Sequence, residues 1–150
     1  MEHDITPLKN IIAIWFAIWA LQAPTLAEAE QQRLAIVVSA DSNIKALSAK
    51  EVRRAYLGAT IIVDGVEIKP LRNLTNELAE EVFLQKVLFM SGEAYERQLL
   101  ARTFRGAGGP KAYNNFFELL MALHNTDATV TFMLYGTAVT TPGIRIISFP

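Results

Sequence analysis

The sequence predicts an α/β domain whose mixed sheet is flanked by helices and which follows an N-terminal signal peptide. Its 150 residues suit a single domain. Apolar residues make up 51% of the chain, which is far too many for a disordered protein. Short apolar runs rich in β-branched residues alternate with segments of helical spacing, and this order predicts helices packed on a mostly parallel or mixed sheet.

An apolar run near the N-terminus indicates a targeting segment. Ile11 to Ala23 is a run of 13 residues that follows Lys9 and is ended by Pro24. A membrane-spanning helix needs about 20 apolar residues, so this run is short for a transmembrane span. A basic residue followed by an apolar run of this length is typical of a secretory signal peptide.

The end of this segment predicts where the mature protein begins. Ala27 and Ala29 form the small-x-small pattern of a signal-peptidase site. We therefore expect residues 1–29 to be a signal peptide and residues 30–150 to form a domain in the periplasm. An uncleaved signal that anchors the chain is the alternative, and it is the only membrane contact that we expect.

The first half of the domain predicts a strand, a helix and a second strand. Residues 33–39 are mostly apolar and β-branched, as in a strand that is buried on both faces. Ser48 and Glu51 form a capping box that opens a helix, and Gly58 marks its end. An Asp-Gly pair then predicts a tight turn before a strand that Pro70 confines to an edge or an end.

The second half of the domain predicts three helices and two closing strands. The helical segments carry apolar residues at helical spacing, and the strands are short apolar runs that follow turn residues. A glycine-rich loop at residues 105–111 precedes the third of these helices. The helices are expected over residues 77–90, 93–103 and 114–124, and the strands over residues 129–134 and 144–149.

The composition disfavours several classes of function. Lys and Arg number 14 against 15 Asp and Glu, so no basic excess favours binding to nucleic acid. The chain has no cysteine, which excludes thiolate metal sites and thiol nucleophiles. Outside the predicted signal His124 is the only histidine, and its place near a helix C-terminus suits an interaction with the helix dipole. We therefore expect no metal, no cofactor and no enzymatic activity.

Three short segments are candidates for binding an anion. The N-terminus of a helix presents free N–H groups and the positive end of its dipole, which suit phosphate-like oxyanions. Two of the segments precede predicted helices, and the third follows the first strand. Ordinary caps and turns also account for each segment. The candidate ligands in these segments are Arg72, Thr75, Asn76, Ser39, Gly108 and Gly109.

Several landmarks occur in one order along the chain. Leu47 to Leu71 reads LSAKEVRRAYLGATIIVDGVEIKPL, with an L-S-x-x-E helix that ends in Y-L-G and a D-G turn before I-x-P. Phe104 to Pro110 reads FRGAGGP, an F-x-G-x-G-x-P turn. In these features the chain resembles the phosphate-binding periplasmic proteins of ABC transporters. The resemblance extends over most of residues 34–149.

This resemblance implies a short, stand-alone domain like the type 2 periplasmic binding proteins. Such a domain captures phosphate or a similar oxyanion for a transporter, and the family's ligand loop matches this chain at Arg72 and Thr75. The family's glycines are absent at Leu74 and Asn76, which favours the alternative of a ligand-free interaction or sensory module at the cell envelope. The implied partners are an inorganic anion and an envelope protein.

Overall fold

The computed structural model describes Glu30 and residues 33–150, so the predicted signal peptide lies outside the described residues. The strands are β1 (Leu34–Ser39), β2 (Ile62–Val63), β3 (Val66–Glu67), β4 (Lys69–Asn73), β5 (Lys111–Tyr113), β6 (Thr129–Leu134) and β7 (Ile144–Ser148). The helices are α1 (Ala49–Tyr56), α2 (Glu77–Phe83), a π-helical segment (Leu84–Leu88), α3 (Gly92–Phe104), α4 (Phe116–His124) and α5 (Tyr135–Thr140). None of these helices is both long enough and apolar enough to cross a bilayer.

Five of the strands form one mixed sheet, in the order β5-β4-β6-β1-β7. β4 runs parallel to both β5 and β6, whereas β1 runs antiparallel to both β6 and β7. The remaining two strands, β2 and β3, form a separate antiparallel hairpin. This architecture confirms the predicted α/β class with a mixed sheet flanked by helices.

The sheet is covered on both faces, and β1 has buried residues on each. All six residues of β1 are buried, as the sequence predicts for a strand in the middle of a covered sheet. Alternate residues of β1 belong to two separate apolar cores, because successive side chains of a strand point to opposite faces. Helices α1, α2 and α3 and the π-helical segment cover the first core, and α4 and α5 cover the second.

Three aromatic side chains form the centre of the first core. The rings of Phe83 and Phe132 stack with their centroids 4.0 Å apart, and the ring of Tyr56 lies 4.5 Å from that of Phe83. The hydroxyl of Tyr56 donates a hydrogen bond of 2.7 Å to the backbone carbonyl of Leu71 in β4. This bond satisfies the polar end of a fully buried side chain while the ring contributes apolar contact.

The local signals in the first half of the domain are confirmed. Ser48 accepts a hydrogen bond from the backbone N–H of Glu51, and the Glu51 carboxylate accepts one from the backbone N–H of Ser48. Asp64 and Gly65 both have positive φ, of 51° and 78°, and join β2 to β3. Positive φ at both central residues is the geometry that an Asp-Gly hairpin turn favours.

The helix predicted over residues 77–90 is shorter and changes type along its length. α2 ends at Phe83, and the chain continues as a π-helical segment to Leu88. Phe89 then takes a left-handed conformation with φ of 56°, and the N–H of Met90 donates to the carbonyl of Leu84. The helix therefore ends without the glycine or asparagine that marks such an end in a sequence.

Two elements were not predicted, and one predicted strand is divided. β5 has three residues, and α5 contains glycine and β-branched residues that disfavour a helix in isolation. The expected strand from Val66 to Pro70 becomes β3 and β4, because Ile68 between them bonds instead to the carbonyl of Ile61. Pro70 is the second residue of β4, which agrees with a position near the end of a strand.

We expect Phe83→Ala to lower the free energy of unfolding by about 3–5 kcal/mol, because it removes a buried ring that packs against the rings of Tyr56 and Phe132. The measurement is urea unfolding monitored by circular dichroism. Phe104→Ala is the matched control, since this ring is 82% exposed, and its effect should stay within about 0.5 kcal/mol. Equal effects of the two changes would contradict this account of the core.

Candidate functional site

The order of the parallel strands creates a switch point at the carboxyl ends of β4 and β6. From β4 the chain passes through α2, the π-helical segment and α3 to β5 on one side, and from β5 it returns through α4 to β6 on the other side. The two connections cover opposite faces of the sheet. Open α/β sheets bind ligands in the crevice outside the carboxyl ends of the strands at such a point.

A cavity of about 210 Å³ lies at this switch point. We call it the switch-point cavity. It is bounded by the end of β4, the end of β6 and the first residues of α4 and α5. Its lining residues are Asn73, Thr75, Asn76, Phe116, Met133, Leu134 and Thr137.

Asn73 shapes one wall of this cavity through its side chain. It is 1% exposed, and its amide donates a hydrogen bond of 2.8 Å to the carbonyl of Phe132 in β6. Its amide oxygen accepts from the backbone N–H of Thr75 at 3.0 Å and from the Thr75 hydroxyl at 2.7 Å. The chain therefore leaves β4 in a turn stabilised by an asparagine side chain, a role that asparagine performs well.

Two helices begin beside the cavity. Asn76 is the N-cap of α2 and accepts a hydrogen bond from the N–H of Ala79, while Asn115 caps α4 and accepts one from Glu118. The first N–H groups of a helix have no partner within the helix, so both ends carry partial positive charge.

The charged side chains near these helix starts set limits on what the cavity can bind. No charged side chain lines the switch-point cavity within the described residues. Glu77 and Glu118 lie in the first turns of α2 and α4, where they interact favourably with the same dipoles. An anion in this cavity would therefore be held by backbone N–H groups and hydroxyls, and it would compete with these two carboxylates.

Arg72, the predicted guanidinium ligand, lies outside this cavity. Successive residues of a strand point to opposite faces, so Arg72 and Asn73 diverge. Arg72 is 8% exposed and pairs with the carboxylates of Glu80 and Glu96, and its guanidinium lies 5.2 Å from the centre of the Tyr95 ring. Its charge is therefore balanced inside the fold.

This ion-pair cluster shifts the pKa values of two of its members. Burial alone lowers the pKa of Arg72, but hydrogen bonds to Glu80 and Glu96 outweigh it, and the net pKa is raised. Burial raises the pKa of Tyr95 to about 12, although the charge of Arg72 opposes this shift. Both side chains therefore keep one protonation state at neutral pH, which suits a structural role.

The other predicted ligands fall in three places. Thr75 and Asn76 line the switch-point cavity, whereas Gly108 and Gly109 line a second cavity of about 450 Å³ at the opposite edge of the sheet. Ser39 lines neither cavity, and the antiparallel direction of β1 places it at the end of the sheet opposite Thr75. The structure thus brings only part of the predicted set together.

Several residues of the switch-point cavity were not predicted from the sequence. Asn73 offers a recognisable signal, since Asn-x-Thr after a strand is typical of a turn stabilised by an asparagine side chain. Phe116 lies at the start of a predicted helix, but nothing in the sequence indicates that this start faces β4. Thr137 belongs to α5, which the sequence does not predict.

The histidine of the described residues lies outside the switch-point cavity. His124 is the last residue of α4, and its ring nitrogens contact the carbonyls of Leu120 at 2.7 Å and Gly143 at 2.9 Å. No group of three or more His, Asp or Glu suited to a metal ion occurs in this part of the chain.

The fold is shared with solved phosphate receptors. An ABC-type phosphate transport receptor from Vibrio cholerae matches with a TM-score of 0.56 and 14% identity, over 85% of this chain and 54% of the receptor. A possible phosphate binding protein from Planctomyces limnophilus matches with a TM-score of 0.51 and 11% identity, over 79% of this chain and 41% of that protein. No family model matches the sequence, and the comparison with curated proteins finds no match.

The chain therefore has a phosphate-binding-protein-like fold, which confirms the resemblance that the sequence indicates. It spans about half the length of the receptors that it matches. The first neighbour is described as a phosphate transport receptor and the second as a possible phosphate binding protein. At these identities the matches establish the fold of the chain.

We expect Arg72→Met to lower the free energy of unfolding by about 2–3 kcal/mol, because it leaves the half-buried carboxylate of Glu80 without its partner. Thermal and urea unfolding of the variant measure this loss. Arg97→Met is the control, since Arg97 and Glu93 form an exposed pair 3.7 Å apart and should contribute less than about 1 kcal/mol. A stable Arg72→Met variant that has lost anion binding would instead assign Arg72 to a ligand site.

Proposed function

We propose that this chain is an exported solute-binding-like domain that binds phosphate or a similar oxyanion in the switch-point cavity. The observation that carries the proposal is the place of this cavity, at the carboxyl ends of β4 and β6 where α2 and α4 begin. The fold supports it, since one neighbour is described as a phosphate transport receptor and the other as a possible phosphate binding protein.

The chemistry of the cavity suits a small oxyanion. Helix N-termini bind oxyanions through backbone N–H groups, and two helices begin at this wall. The hydroxyl of Thr137 adds a neutral donor, and the cavity of about 210 Å³ exceeds the roughly 30 Å³ that a water molecule occupies. Phosphate fits such a set of donors without a fixed cation.

A one-sided cavity predicts weak binding by the isolated chain. The chain aligns with 54% of the Vibrio receptor, and the switch-point cavity is open to solvent on one side. A ligand exposed to water loses much of its electrostatic attraction through solvent and salt. We therefore expect a dissociation constant near 1 mM, about −4 kcal/mol, unless a second copy or an envelope protein closes the site.

A ligand-free interaction or sensory module at the cell envelope is the second candidate. The neutralisation of Arg72 by Glu80 and Glu96 favours it, because the guanidinium that the family resemblance assigns to the ligand is already paired. On this account the fold is retained for contact with a protein partner, and the switch-point cavity holds no specific anion.

We expect phosphate to bind the full chain and Thr137→Val to weaken this binding about threefold to tenfold, because the variant removes the hydroxyl of a residue that lines the cavity. Isothermal titration calorimetry with inorganic phosphate measures both affinities. Thr103→Val is the control, since its hydroxyl bonds to Leu99 on the exposed side of α3.

No heat of binding with several millimolar phosphate would contradict the anion-binding proposal. In that case, site-specific crosslinking in intact cells tests the second candidate. Crosslinking of the chain to one envelope protein, in a 1:1 ratio, would support an interaction module.

The export of this chain is also a proposal. We expect the protein recovered from the periplasm of a Gram-negative host to begin at Glu30, because the small-x-small pattern ends at Ala29. N-terminal sequencing and intact mass identify the first residue. A chain that keeps Met1 and sediments with membranes would indicate an uncleaved anchor instead.

A further inference from the structure

The second cavity lies at the edge of the sheet opposite the switch point. We call it the amino-edge cavity, because Lys69, Lys111 and Thr129 in its lining are the first residues of β4, β5 and β6. It has a volume of about 450 Å³ and shares no lining residue with the switch-point cavity. Small-molecule sites in proteins typically enclose about 300–1,000 Å³, so this volume suits a ligand larger than phosphate.

Arg102 is fixed in the wall of the amino-edge cavity. Its Nη1 donates to the carbonyl of Leu57 at 3.0 Å, and its Nε and Nη2 donate to the carbonyl of Gly108 at 3.3 and 3.0 Å. A guanidinium has five N–H donors, so three hydrogen bonds leave two donors. The side chain is therefore held in place by neutral acceptors while its charge and part of its donor set stay available.

Gly58 makes room for this guanidinium. A Cβ atom at this position would overlap the guanidinium of Arg102, and Gly58 also has φ of +92°, a conformation that other residues rarely adopt. The glycine that ends α1 and the glycine loop thus enclose Arg102 from two sides. The position of this cation depends on two separate parts of the sequence.

The cation in the wall of this cavity lacks an acidic partner. Arg102 forms no ion pair among residues 33–150, whereas Arg72 has two carboxylate partners. Lys69 and Lys111 also line the cavity, but strand alternation places their side chains on the face of the second core, where the Lys111 ammonium lies 5.0 Å from the centre of the Tyr113 ring. Arg102 is therefore the cation that an anion in the cavity would meet, and a guanidinium is the side chain that best matches carboxylate and phosphate groups.

We propose that the amino-edge cavity binds a small organic anion whose carboxylate or phosphate group lies against Arg102. Ala55 and Pro70 in the lining supply apolar atoms for the uncharged part of the ligand. This site is separate from the proposed phosphate site, and neither depends on the other.

The test is a titration of the 15N-labelled full chain, followed by NMR, with citrate and glucose 6-phosphate as anionic probes and glucose as the neutral control. We expect at least one anionic probe, at up to about 10 mM, to shift the backbone amides of Gly58, Gly108, Gly109 and Lys111. A response to citrate alone assigns the site to carboxylates, and a response to glucose 6-phosphate alone assigns it to phosphate esters. The absence of any shift, equal shifts with glucose, or shifts confined to Thr75 and Asn76 would overturn the proposal.

Arg102→Lys tests the guanidinium itself. It keeps the positive charge but loses the planar set of donors, so we expect about tenfold weaker binding of the same probe. Thr137→Val should leave this affinity unchanged, since Thr137 lines only the switch-point cavity. Unchanged affinity in a folded Arg102→Lys variant would overturn the role of Arg102.

Discussion

The junction between β4 and β6 depends on side-chain hydrogen bonds at the end where the switch-point cavity lies. In the register of these two parallel strands, Lys69 pairs with Thr129 and Pro70 pairs with Val130. Beyond these pairs the Thr131 hydroxyl donates to the carbonyl of Leu71, and the Asn73 amide donates to the carbonyl of Phe132. Because the same asparagine also holds Thr75, strand pairing, the turn into α2 and the wall of the cavity share one buried group.

Arg72 and Arg102 differ in whether the fold neutralises their positive charge. Arg72 is enclosed by Glu80 and Glu96, so the fold itself supplies its counter-charge. Arg102 is held by the carbonyls of Leu57 and Gly108, which orient it without neutralising it. A cation that binds an external anion must be held by neutral acceptors, as Arg102 is. A carboxylate of the same chain is always next to the cation, so it would compete with every ligand.

The likeness to phosphate receptors concerns architecture, and the details of the site differ from what the resemblance implies. The arginine assigned to the ligand loop points toward Tyr95 and α3 rather than toward the switch-point cavity. What remains at the switch point are helix N-termini, hydroxyls and one open side, in a chain about half as long as its neighbours. A ligand in such a site would be exposed to water, which weakens its electrostatic attraction to the protein.

Sequence reasoning was most successful where neighbouring residues decide the structure. The capping box of Ser48 and Glu51, the Asp64-Gly65 turn and the buried character of β1 are local patterns, and all are present. It failed at β5 and α5, whose short or glycine-containing sequences have little preference of their own. β5 forms because it pairs with β4, and α5 forms because it packs on the second core. Residues that are distant in the sequence therefore decide both elements.

The sequence by itself determined the α/β class, the mixed sheet, most helix positions and the resemblance to phosphate-binding proteins. Only the tertiary structure decided which of the candidate ligands meet. Strand alternation turns Arg72 away from Asn73, and the antiparallel direction of β1 places Ser39 at the edge opposite Thr75. Burial of Arg72 between two helices then requires carboxylates from both, because a buried charge is stable only when it is paired.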